Sequence, residues 1–587
     1  MAQNPDSFFA PSLQSGPILP QKDTFGNQIL REFELVGARE IYFYSAATGL
    51  PMPMADPRGA VVQGLGLLDW VEGQGINQAK IFLDIEAWKA ETFGQDNFTS
   101  LADYAKVFTF FQTPDIVQTW QDDKVFGSQR LAGLNPMTIS LVTLDGTKGV
   151  KWSDLSAKLS PQINDEAIKP FLGPDATMEQ TVTQNRIFVT DFAPIGAATA
   201  GADAPGWQKG LKLQAPIALY VHTDDFDGLQ PVAIQLDQPP ASAVYLSYQK
   251  DQPGNKFRWL MAKIFLQCAD LNLNQVVNHL AFTHLIEEAF ALATFRRLAN
   301  QHPLNVLLRK HFTALLVINE LGVLTLINQT GLIQQIFEGG LQGSMELIKN
   351  AYSNWSFEHM DFPNDLAKRG VDNTTLLPYY PFRDDGMLIW NLLGQYVREY
   401  IDLYYTSDND VVADYELQNW AQQLGGALDE GAGSVPGFPN QIGTREQLAE
   451  IIQRIIWTAG PQHAAVNFPQ IDYTTFIPNA TGATYAPPVI EGDVDEATLL
   501  SMLAPKEQTA VQVKTSYALA GYHYDQLLKY DLDPADGSDT IVKKYYQQLS
   551  TTVRNTIVAS NNKRAGQIGL LVYPYFLPEN IPNSTSV

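Results

Sequence analysis

The feature that most constrains the fold is a long series of helical patterns in the C-terminal half of the sequence. Apolar residues recur at helical spacing through residues 256–299 and again in several shorter segments. Helices with apolar faces are stable only when those faces pack against other elements. The sequence therefore predicts a mainly α protein with a helical core over about residues 256–587. Further helices are predicted at 304–336, 385–405, 414–424, 444–459 and 539–561.

A small antiparallel β region is predicted ahead of this core, over about residues 135–250. β-branched runs separated by turn-forming residues are typical of short strands. Residues 1–25 are polar and rich in Pro, Ser and Gln, which predicts a flexible N-terminal arm, so that one folded domain spans residues 26–587. The predicted strands lie in 137–144, 186–190 and 217–221.

The charge of the chain limits its partners. Its 587 residues carry a formal net charge of −24, which argues against nucleic acid, because no basic surface would follow a phosphate backbone. The same charge disfavours electrostatic binding to anionic lipid. The single cysteine, Cys268, excludes an intramolecular disulfide and a thiolate metal site. The sequence shows neither a signal-peptide pattern nor an uncharged apolar stretch of about 18 residues, so we expect a cytoplasmic monomer with at most peripheral membrane contact.

Two histidines lie five residues apart, His279 and His284, inside the strongest helical segment. On a regular α-helix, five residues turn the side chain by about 140°, so the two imidazoles would not share one ion. A single turn of π-helix would bring both onto one face, and such turns concentrate at functional sites. The spacing alone leaves two interpretations open: a metal-binding pair on a π-turn, or two unrelated histidines, one in the core and one at the surface.

A second polar cluster, His463 and Asn467, has the four-residue spacing that places two side chains on one face of a helix. The chain end, 583–587, has no charged side chain and follows a Pro-rich apolar run, which suits a tail folded inward. Plain packing of this tail is the alternative to a terminal carboxylate that binds metal. Three imidazoles, one carboxamide and the Val587 carboxylate would together suit a redox-active non-haem iron or manganese better than a structural zinc.

Several segments, in order along the chain, resemble motifs of the lipoxygenase family. The resemblance covers about residues 115–587 and is strongest to compact cyanobacterial forms, which lack the N-terminal β-barrel of other members. It implies a large lipoxygenase-type helical catalytic domain with no N-terminal PLAT β-barrel. Beside the two histidine clusters and the chain end, the segments that carry the resemblance are 120–127, 130–136, 229–236, 366–370 and 380–386.

The resemblance implies a non-haem iron dioxygenase of polyunsaturated fatty acids such as linoleate and linolenate, with dioxygen as the second substrate. In the family's mechanism a ferric hydroxide abstracts hydrogen from a bis-allylic carbon, and dioxygen then adds to the radical to give a hydroperoxide. One iron per chain is expected, with manganese as the less favoured metal. The ligands carried over from the family are His279, His284, His463, Asn467 and Val587.

The resemblance also implies roles around the metal and the substrate. Gln275 and Gln470 align with amides that link the iron ligands to the substrate cavity, and Leu326 is expected to pack against the pentadiene. Gly322 falls where the family has Ala for S products and Gly for R products, so R-configured hydroperoxides are expected. A packing glycine and ordinary core leucines are the alternatives. The expected cavity-lining residues are Leu304, Leu307, Ile318 and Ile333.

Two rival functions remain open. A hydroperoxide isomerase would use the same iron, but it would not consume oxygen when given free fatty acid. A catalytically silent lipid-binding protein on this scaffold would bind no redox metal, and the presence of residues at all five ligand positions argues against it.

Overall fold

A computed structural model describes most of the chain and shows a mainly helical protein. Among the described residues, no helix is both long and apolar enough to cross a bilayer. The described ranges are 16–45, 52, 54–64, 67–91, 98–109, 111–197, 212–426 and 433–587.

The N-terminal segment forms helices that pack on the rest of the protein. Residues 1–15 of the expected flexible arm lie outside the described residues, but residues 16–25 differ from that expectation. Leu19 is 1% exposed, and the Ile18 amide donates a hydrogen bond of 3.0 Å to the Gln301 carbonyl. Burial of Leu19 and this backbone bond fix the segment. The elements that follow are α1 (Phe25–Ile41), β1 (Tyr44–Ser45), β2 (Met54–Ala55), α2 (Pro57–Gly64) and α3 (Leu68–Glu91).

The predicted β region is a six-stranded sheet that follows α4 (Ile116–Thr119) and α5 (Asp123–Ala132). Its strand order is β4-β3-β5-β6-β7-β8, and all pairs are antiparallel except the edge pair of β3 with β4, which is parallel. The strands are β3 (Ser140–Thr143), β4 (Val150–Lys151), β5 (Ile187–Asp191), β6 (Ile217–Thr223), β7 (Phe226–Gln235) and β8 (Val244–Leu246).

The longest strand, β7, is not among the predicted ones, and it contains Pro231. Proline lacks an amide donor and is usually excluded from a central strand. Here Pro231 pairs with Tyr220, and the register shifts between Leu219 and Tyr220, so that the strand is irregular where the proline lies. A bulge of this kind accommodates a residue that regular pairing would exclude.

The sheet is buried on both faces. Successive residues of a strand point to opposite faces: Ala218 and Tyr220 of β6 join the main core, while Leu219 and Val221 join a smaller one. Three short helices contribute to the smaller core, α6 (Trp152–Ser156), α7 (Lys169–Leu172) and α8 (Met178–Thr183).

The helical half begins with a continuous helical rod over residues 255–297. It consists of α9 (Asn255–Leu273), a π-helix termed π1 (Asn274–Leu285) and α10 (Ile286–Arg297). The next predicted helix, 304–336, is instead three helices. Ala314 has a left-handed φ of 61° between the first two. Between the last two the chain folds back so closely that a Cβ at Gly331 would be 2.2 Å from the Leu326 carbonyl oxygen. These three helices are α11 (Pro303–Leu308), α12 (Leu315–Thr325) and α13 (Leu332–Ile336).

The remaining helices surround this rod and complete the core. Two further π-helices, π2 (Thr458–Gln462) and π3 (Leu549–Val553), interrupt long helical segments. The α-helices are α14 (Gly340–Ser353), α15 (Phe362–Lys368), α16 (Pro381–Tyr404), α17 (Asp408–Ala413), α18 (Tyr415–Gly425), α19 (Arg445–Trp457), α20 (His463–Asn467), α21 (Pro469–Thr474), α22 (Glu496–Met502), α23 (Lys506–Ala520), α24 (Ser538–Gln548) and α25 (Arg554–Ala565).

Candidate metal centre and cavity

The first histidine pair lies on π1, as one of the two interpretations of its spacing requires. In a π-helix the amide of one residue bonds the carbonyl five residues before it, so residues five apart come onto one face. The Nε2 atoms of His279 and His284 are 3.2 Å apart. Both rings are buried, which excludes the alternative of one core and one surface histidine.

The second cluster follows π2, which contains Pro461. Proline removes an amide donor from a helix interior and disturbs the regular bonding pattern, which makes a change of helix type at this point understandable. His463 begins α20 and is fully buried. Its Nε2 atom lies 3.2 Å from that of His279. The two π-helices therefore direct three imidazoles from two helical segments to one point.

The three ring nitrogens fit a single metal ion. Two imidazole nitrogens that each lie about 2.1 Å from an ion, at right angles, are about 3 Å apart. The contacts of His279 with His284 and His463 are close to this separation. Among the described residues, this is the one group of three His, Cys, Asp or Glu side chains whose ligand atoms all lie within 4.8 Å of one another. Unshielded nitrogen lone pairs at this distance repel, and a bound cation removes that repulsion.

Burial keeps the three imidazoles neutral. Desolvation lowers the pKa of His279 and of His463 well below the usual value, and each is lowered further by its histidine neighbours. Burial also lowers the pKa of His284 to about 4. A neutral imidazole offers a lone pair to a metal, whereas a protonated one cannot. At neutral pH all three side chains are therefore available as ligands.

Carboxamides orient two of the imidazoles. His279 Nδ1 lies 3.2 Å from Gln275 Oε1, and His284 Nδ1 lies 2.9 Å from Asn319 Oδ1. An amide oxygen accepts a hydrogen bond, so each Nδ1 carries the proton and donates it. This tautomer leaves each Nε2 lone pair directed at the common point, which is how a second layer of residues usually holds metal-binding histidines.

The Asn319 carboxamide is itself fixed by an acid. Its Nδ2 donates to Glu288 Oε2 and, over 3.1 Å, to the His284 carbonyl. Glu288 accepts a second hydrogen bond from the Ala55 amide, and burial raises the pKa of its carboxyl group to about 7. Neither Asn319 nor Glu288 was predicted from the sequence. Their partners lie 31 to 233 residues away, so no local spacing marks them.

Asn467 and Gln470 form a second polar pair beside His463. Asn467 donates from Nδ2 to the Leu519 carbonyl over 2.9 Å, and its Oδ1 accepts from Gln470 Nε2 over 2.6 Å. A carboxamide oxygen has two lone pairs, so one remains for a further partner. Asn467 lies four residues after His463 on α20, and both are fully buried.

The C-terminal tail is inside the protein. Asn583, Ser584, Thr585, Ser586 and Val587 are each at most 3% exposed. A tail of this kind usually frays unless specific bonds hold it. Val587 lines the same cavity as His279 and His284.

Several bonds hold the tail. Asn583 donates to Asp525 Oδ2 and accepts from the Leu528 amide, each over 2.8 Å. His311 Nδ1 donates to the Asn583 carbonyl over 2.9 Å. Further on, Trp70 Nε1 donates to the Ser586 carbonyl, also over 2.9 Å. Like Asn319, Trp70 was not predicted, because its partner is 516 residues away.

The tail also passes very close to π2. A Cβ at Gly460 would lie 2.7 Å from the Pro582 carbonyl oxygen. Glycine is therefore required at this position, because any side chain would push the tail away from the segment that leads to His463.

A cavity of about 850 Å³ lies against the imidazoles. Its wall is mostly apolar, and it includes most of the residues expected from the sequence to contact substrate. His463 and Asn467 are buried behind this wall and do not line the cavity. The expected residues that line it are Gln275, His279, His284, Ile318, Gly322, Leu326, Ile333, Gln470 and Val587.

Leu304 and Leu307 were expected to line the cavity, and the structure corrects this. Both lie on α11 and are at most 1% exposed. They belong to the main apolar core and not to the cavity wall. Leucines at helical spacing serve packing as readily as substrate binding, so the alternative of ordinary core leucines applies to these two residues.

Gly322 lies in an open part of the cavity wall. A Cβ built on it would meet only Leu326 Cδ1, at 3.9 Å. Close packing therefore does not account for glycine at this position. The absence of a methyl group leaves space beside Leu326 on the side of α12 that faces the cavity.

The sequence matches one known family over most of its length. A profile of the Lipoxygenase family matches residues 76–573. The linoleate 9/13-lipoxygenase of Pseudomonas aeruginosa is 32% identical over 497 residues, which cover 82% of this chain and 69% of that protein. The hydroperoxide isomerase ALOXE3 of Homo sapiens is 32% identical over 380 residues, covering 64% of this chain and 50% of that protein.

Solved structures agree with the sequence comparison. The crystal structure of a coral 8R-lipoxygenase superposes with a TM-score of 0.84 at 26% identity, covering 98% of this chain and 83% of that one. A lipoxygenase variant crystallised in complex with arachidonate gives a TM-score of 0.86 at 25% identity, covering 98% and 84%. With the family match over residues 76–573, these findings show that the chain belongs to the lipoxygenases, a family of fatty acid dioxygenases that generally bind non-haem iron.

Proposed function

We propose that this protein is a non-haem iron lipoxygenase that converts polyunsaturated fatty acids of the linoleate type into R-configured hydroperoxides. One observation carries the proposal: three buried, neutral imidazoles meet beside an apolar cavity that the last residue of the chain also lines. The further parts of the proposal are a monomer in the cytoplasm, with at most peripheral membrane contact.

The residues present suit iron. His279, His284, His463 and the Val587 carboxylate would hold it, with Asn467 Oδ1 as a weaker, neutral oxygen ligand. Bound iron would supply the one-electron oxidation that hydrogen-atom removal from a bis-allylic carbon requires, with a base to take up the proton. Neutral nitrogen ligands without any thiolate favour iron or manganese over a structural zinc. The hydrogen bonds that His279 and His284 donate to the amide oxygens of Gln275 and Asn319 keep the imidazoles in the tautomer that metal binding needs.

The cavity suits a long apolar substrate. Its volume falls within the range of about 300–1,000 Å³ typical of small-molecule sites. Apolar residues such as Leu271, Ile318 and Phe337 form most of its wall, so a bound hydrocarbon chain would displace water from the reacting carbon. Exclusion of water protects a carbon radical from side reactions until dioxygen adds.

Lys514 would determine which end of the fatty acid enters the cavity first. Among the described residues that line the cavity, it is the one Lys, Arg, Asp or Glu side chain. It is exposed on α23, with its Nζ 5.7 Å from the centre of the Phe82 ring. A carboxylate is strongly disfavoured in an apolar interior. The fatty acid would therefore enter with its methyl end first and leave its carboxylate at Lys514.

Gly322 supports the R configuration. The space that an alanine methyl would fill is open and lies beside Leu326. Dioxygen that reaches the radical through this space would add at the end of the pentadienyl system nearest to α12. A methyl group there would block this approach and favour the other end.

The test is oxygen uptake by the purified protein with linoleate, followed by chiral analysis of the products. The expected result is oxygen consumption and an R-configured hydroperoxide. Conversion of added hydroperoxide without oxygen uptake from free fatty acid would instead indicate an isomerase. Absence of both reactions in an iron-loaded protein would contradict the proposal.

Lys514→Gln tests the direction of binding separately. We expect a higher KM for linoleate and little change for methyl linoleate, which has no charge for Lys514 to pair with. Lys514→Arg is the matched control, because it keeps the charge. An equal rise in KM for both substrates would show that Lys514 does not meet the carboxylate.

A further inference from the structure

The hydrogen bonds that hold the end of the chain are concentrated at Asn583. Asn583 is fixed by several hydrogen bonds to the 525–528 segment and to His311. Beyond it, the hydroxyl groups of Ser584, Thr585 and Ser586 have no hydrogen-bond partner among the described residues. Within the described ranges, the bond from Trp70 Nε1 to the Ser586 carbonyl is the one hydrogen bond between residues 584–587 and the body of the protein.

Trp70 belongs to the N-terminal helix α3 and precedes residue 76, where the match to the lipoxygenase family begins. It is 2% exposed and lines the cavity together with Val587. The family resemblance assigns no role to this helix. Its placement is nevertheless well defined, because a Cβ at Gly73 would lie 2.0 Å from the Tyr522 hydroxyl oxygen. The Tyr522 side chain therefore lies directly against the backbone of α3 at Gly73.

The same region holds the tail. Leu527 donates its amide to the Ile581 carbonyl over 2.7 Å, and Asp525 binds Asn583. Helix α3 and the tail are therefore both positioned against residues 521–528, with Trp70 as the link next to the terminal carboxylate. An indole is rigid, and a donor on a packed helix defines the position of its acceptor closely.

We infer that Trp70 is a positioning residue for the metal: its indole N–H fixes the Ser586 carbonyl and thereby presents the Val587 carboxylate to the ion bound by the imidazoles. This inference rests on the proposed metal site. It gives the N-terminal helix a role in assembling that site. Helix α3 would then both line the cavity and hold the terminal carboxylate in position.

Trp70→Phe tests the inference, because it keeps an aromatic ring and removes the donor. The expected result is an iron affinity lower by about tenfold, in the range found when residues behind a metal ligand are changed. Iron affinity is measured by competition with a chelator, and the electron paramagnetic resonance spectrum of the ferric protein should change in shape. Trp88→Phe is the matched control: Trp88 is also buried on α3 and lies about 27 Å further along the helix axis.

A second measurement uses the metal-free protein. Carboxypeptidase should release Val587 about tenfold faster from Trp70→Phe than from the wild type or from Trp88→Phe, because the last residues lose their bond to the body. Benzothienylalanine at position 70, which replaces the indole N–H by sulfur, serves if Trp70→Phe does not fold.

Failure of the proposed function and failure of the role of Trp70 would give different results. A wild-type protein that binds no iron contradicts the proposed function. A wild type that binds iron, together with Trp70 variants of unchanged affinity, unchanged spectrum and unchanged Val587 release, overturns the role of Trp70 and leaves the metal site intact. Variants that are only less heat-stable, with these readouts unchanged, overturn it equally.

Discussion

Two walls of the same cavity differ in how their residues are held. The ligand wall contains Gln275, His279, His284, Gln470 and Val587, and each of these residues is at most 7% exposed. The apolar wall is formed by α12 and α13 with Ile318, Gly322, Leu326 and Ile333.

The four side chains of the ligand wall each take part in a directional hydrogen bond. The apolar wall depends on packing and lies near the surface, with Leu321 42% and Leu324 63% exposed on the same helix. Directional bonds demand particular residues at particular spacings, whereas packing accepts many residues of similar size. Substitutions that change only a few atoms should therefore impair the ligand wall strongly, whereas the apolar wall should tolerate substitutions that keep side-chain size.

The largest effect is expected at the end of the chain. Appending one alanine after Val587 moves the carboxylate away from the imidazoles, and we expect loss of iron binding and at least about a 100-fold fall in oxygen uptake. Metal analysis and an oxygen electrode measure both quantities. Val587→Ile should retain iron, because the proposed ligand is the main-chain carboxylate. Full iron content in the extended protein would show that this carboxylate is not a ligand.

The next effect is expected at Asn319, which joins the two walls because it lies on α12 but bonds His284. Asn319→Leu removes the acceptor of His284 Nδ1 and the donor to Glu288. We expect iron affinity to fall by about 10- to 100-fold. Leu324→Ala on the exposed face of α12 is the control. If the two variants bind iron equally well, the walls are not coupled through Asn319.

A smaller change in rate, but a change in product, is expected at Gly322. An alanine methyl fits without a clash, and alanine is favoured over glycine in a helix by about 1 kcal/mol. Gly322→Ala should therefore raise the free energy of unfolding by up to about 1 kcal/mol while shifting products from R toward S. Chiral chromatography and denaturant unfolding measure the two effects. Unchanged product chirality would remove Gly322 from control of oxygen entry.

The smallest catalytic effects are expected for two leucines, Leu326 in the cavity wall and Leu304 in the core. Leu304→Ala should lower the free energy of unfolding by about 2–5 kcal/mol, as large-to-small changes in a packed core do, with the KM for linoleate unchanged. Leu326→Ala, at the half-buried wall, should destabilise less and raise that KM by a few fold. A raised KM in Leu304→Ala with normal stability would place Leu304 in the substrate site after all.

The parts of the site that could be predicted from the sequence are those marked by local spacing or composition. The five-residue spacing of His279 and His284 left two interpretations open, a metal-binding pair on a π-turn or two unrelated histidines. The structure has the π-helix. The buried tail was likewise signalled by its lack of charge. Asn319 and Trp70 were not predictable, since their partners lie 35 and 516 residues away and nothing local requires an asparagine or a tryptophan there.

The errors in the fold have equally specific causes. One helix expected over residues 304–336 is broken at Ala314, whose left-handed φ of 61° is unusual for a residue with a side chain. Strand β7, which is not among the predicted strands, contains Pro231, a residue type that is usually excluded from a central strand. In both places tertiary packing overrides the local preference, and a single sequence carries no sign of that packing.

Metal analysis of the purified chain, combined with oxygen uptake on linoleate, tests the central claim most directly. The account predicts one iron per chain and an uptake rate that rises in proportion to the iron content of partly loaded samples. Stoichiometric zinc in place of iron, or equal oxygen uptake by iron-free protein, would contradict it.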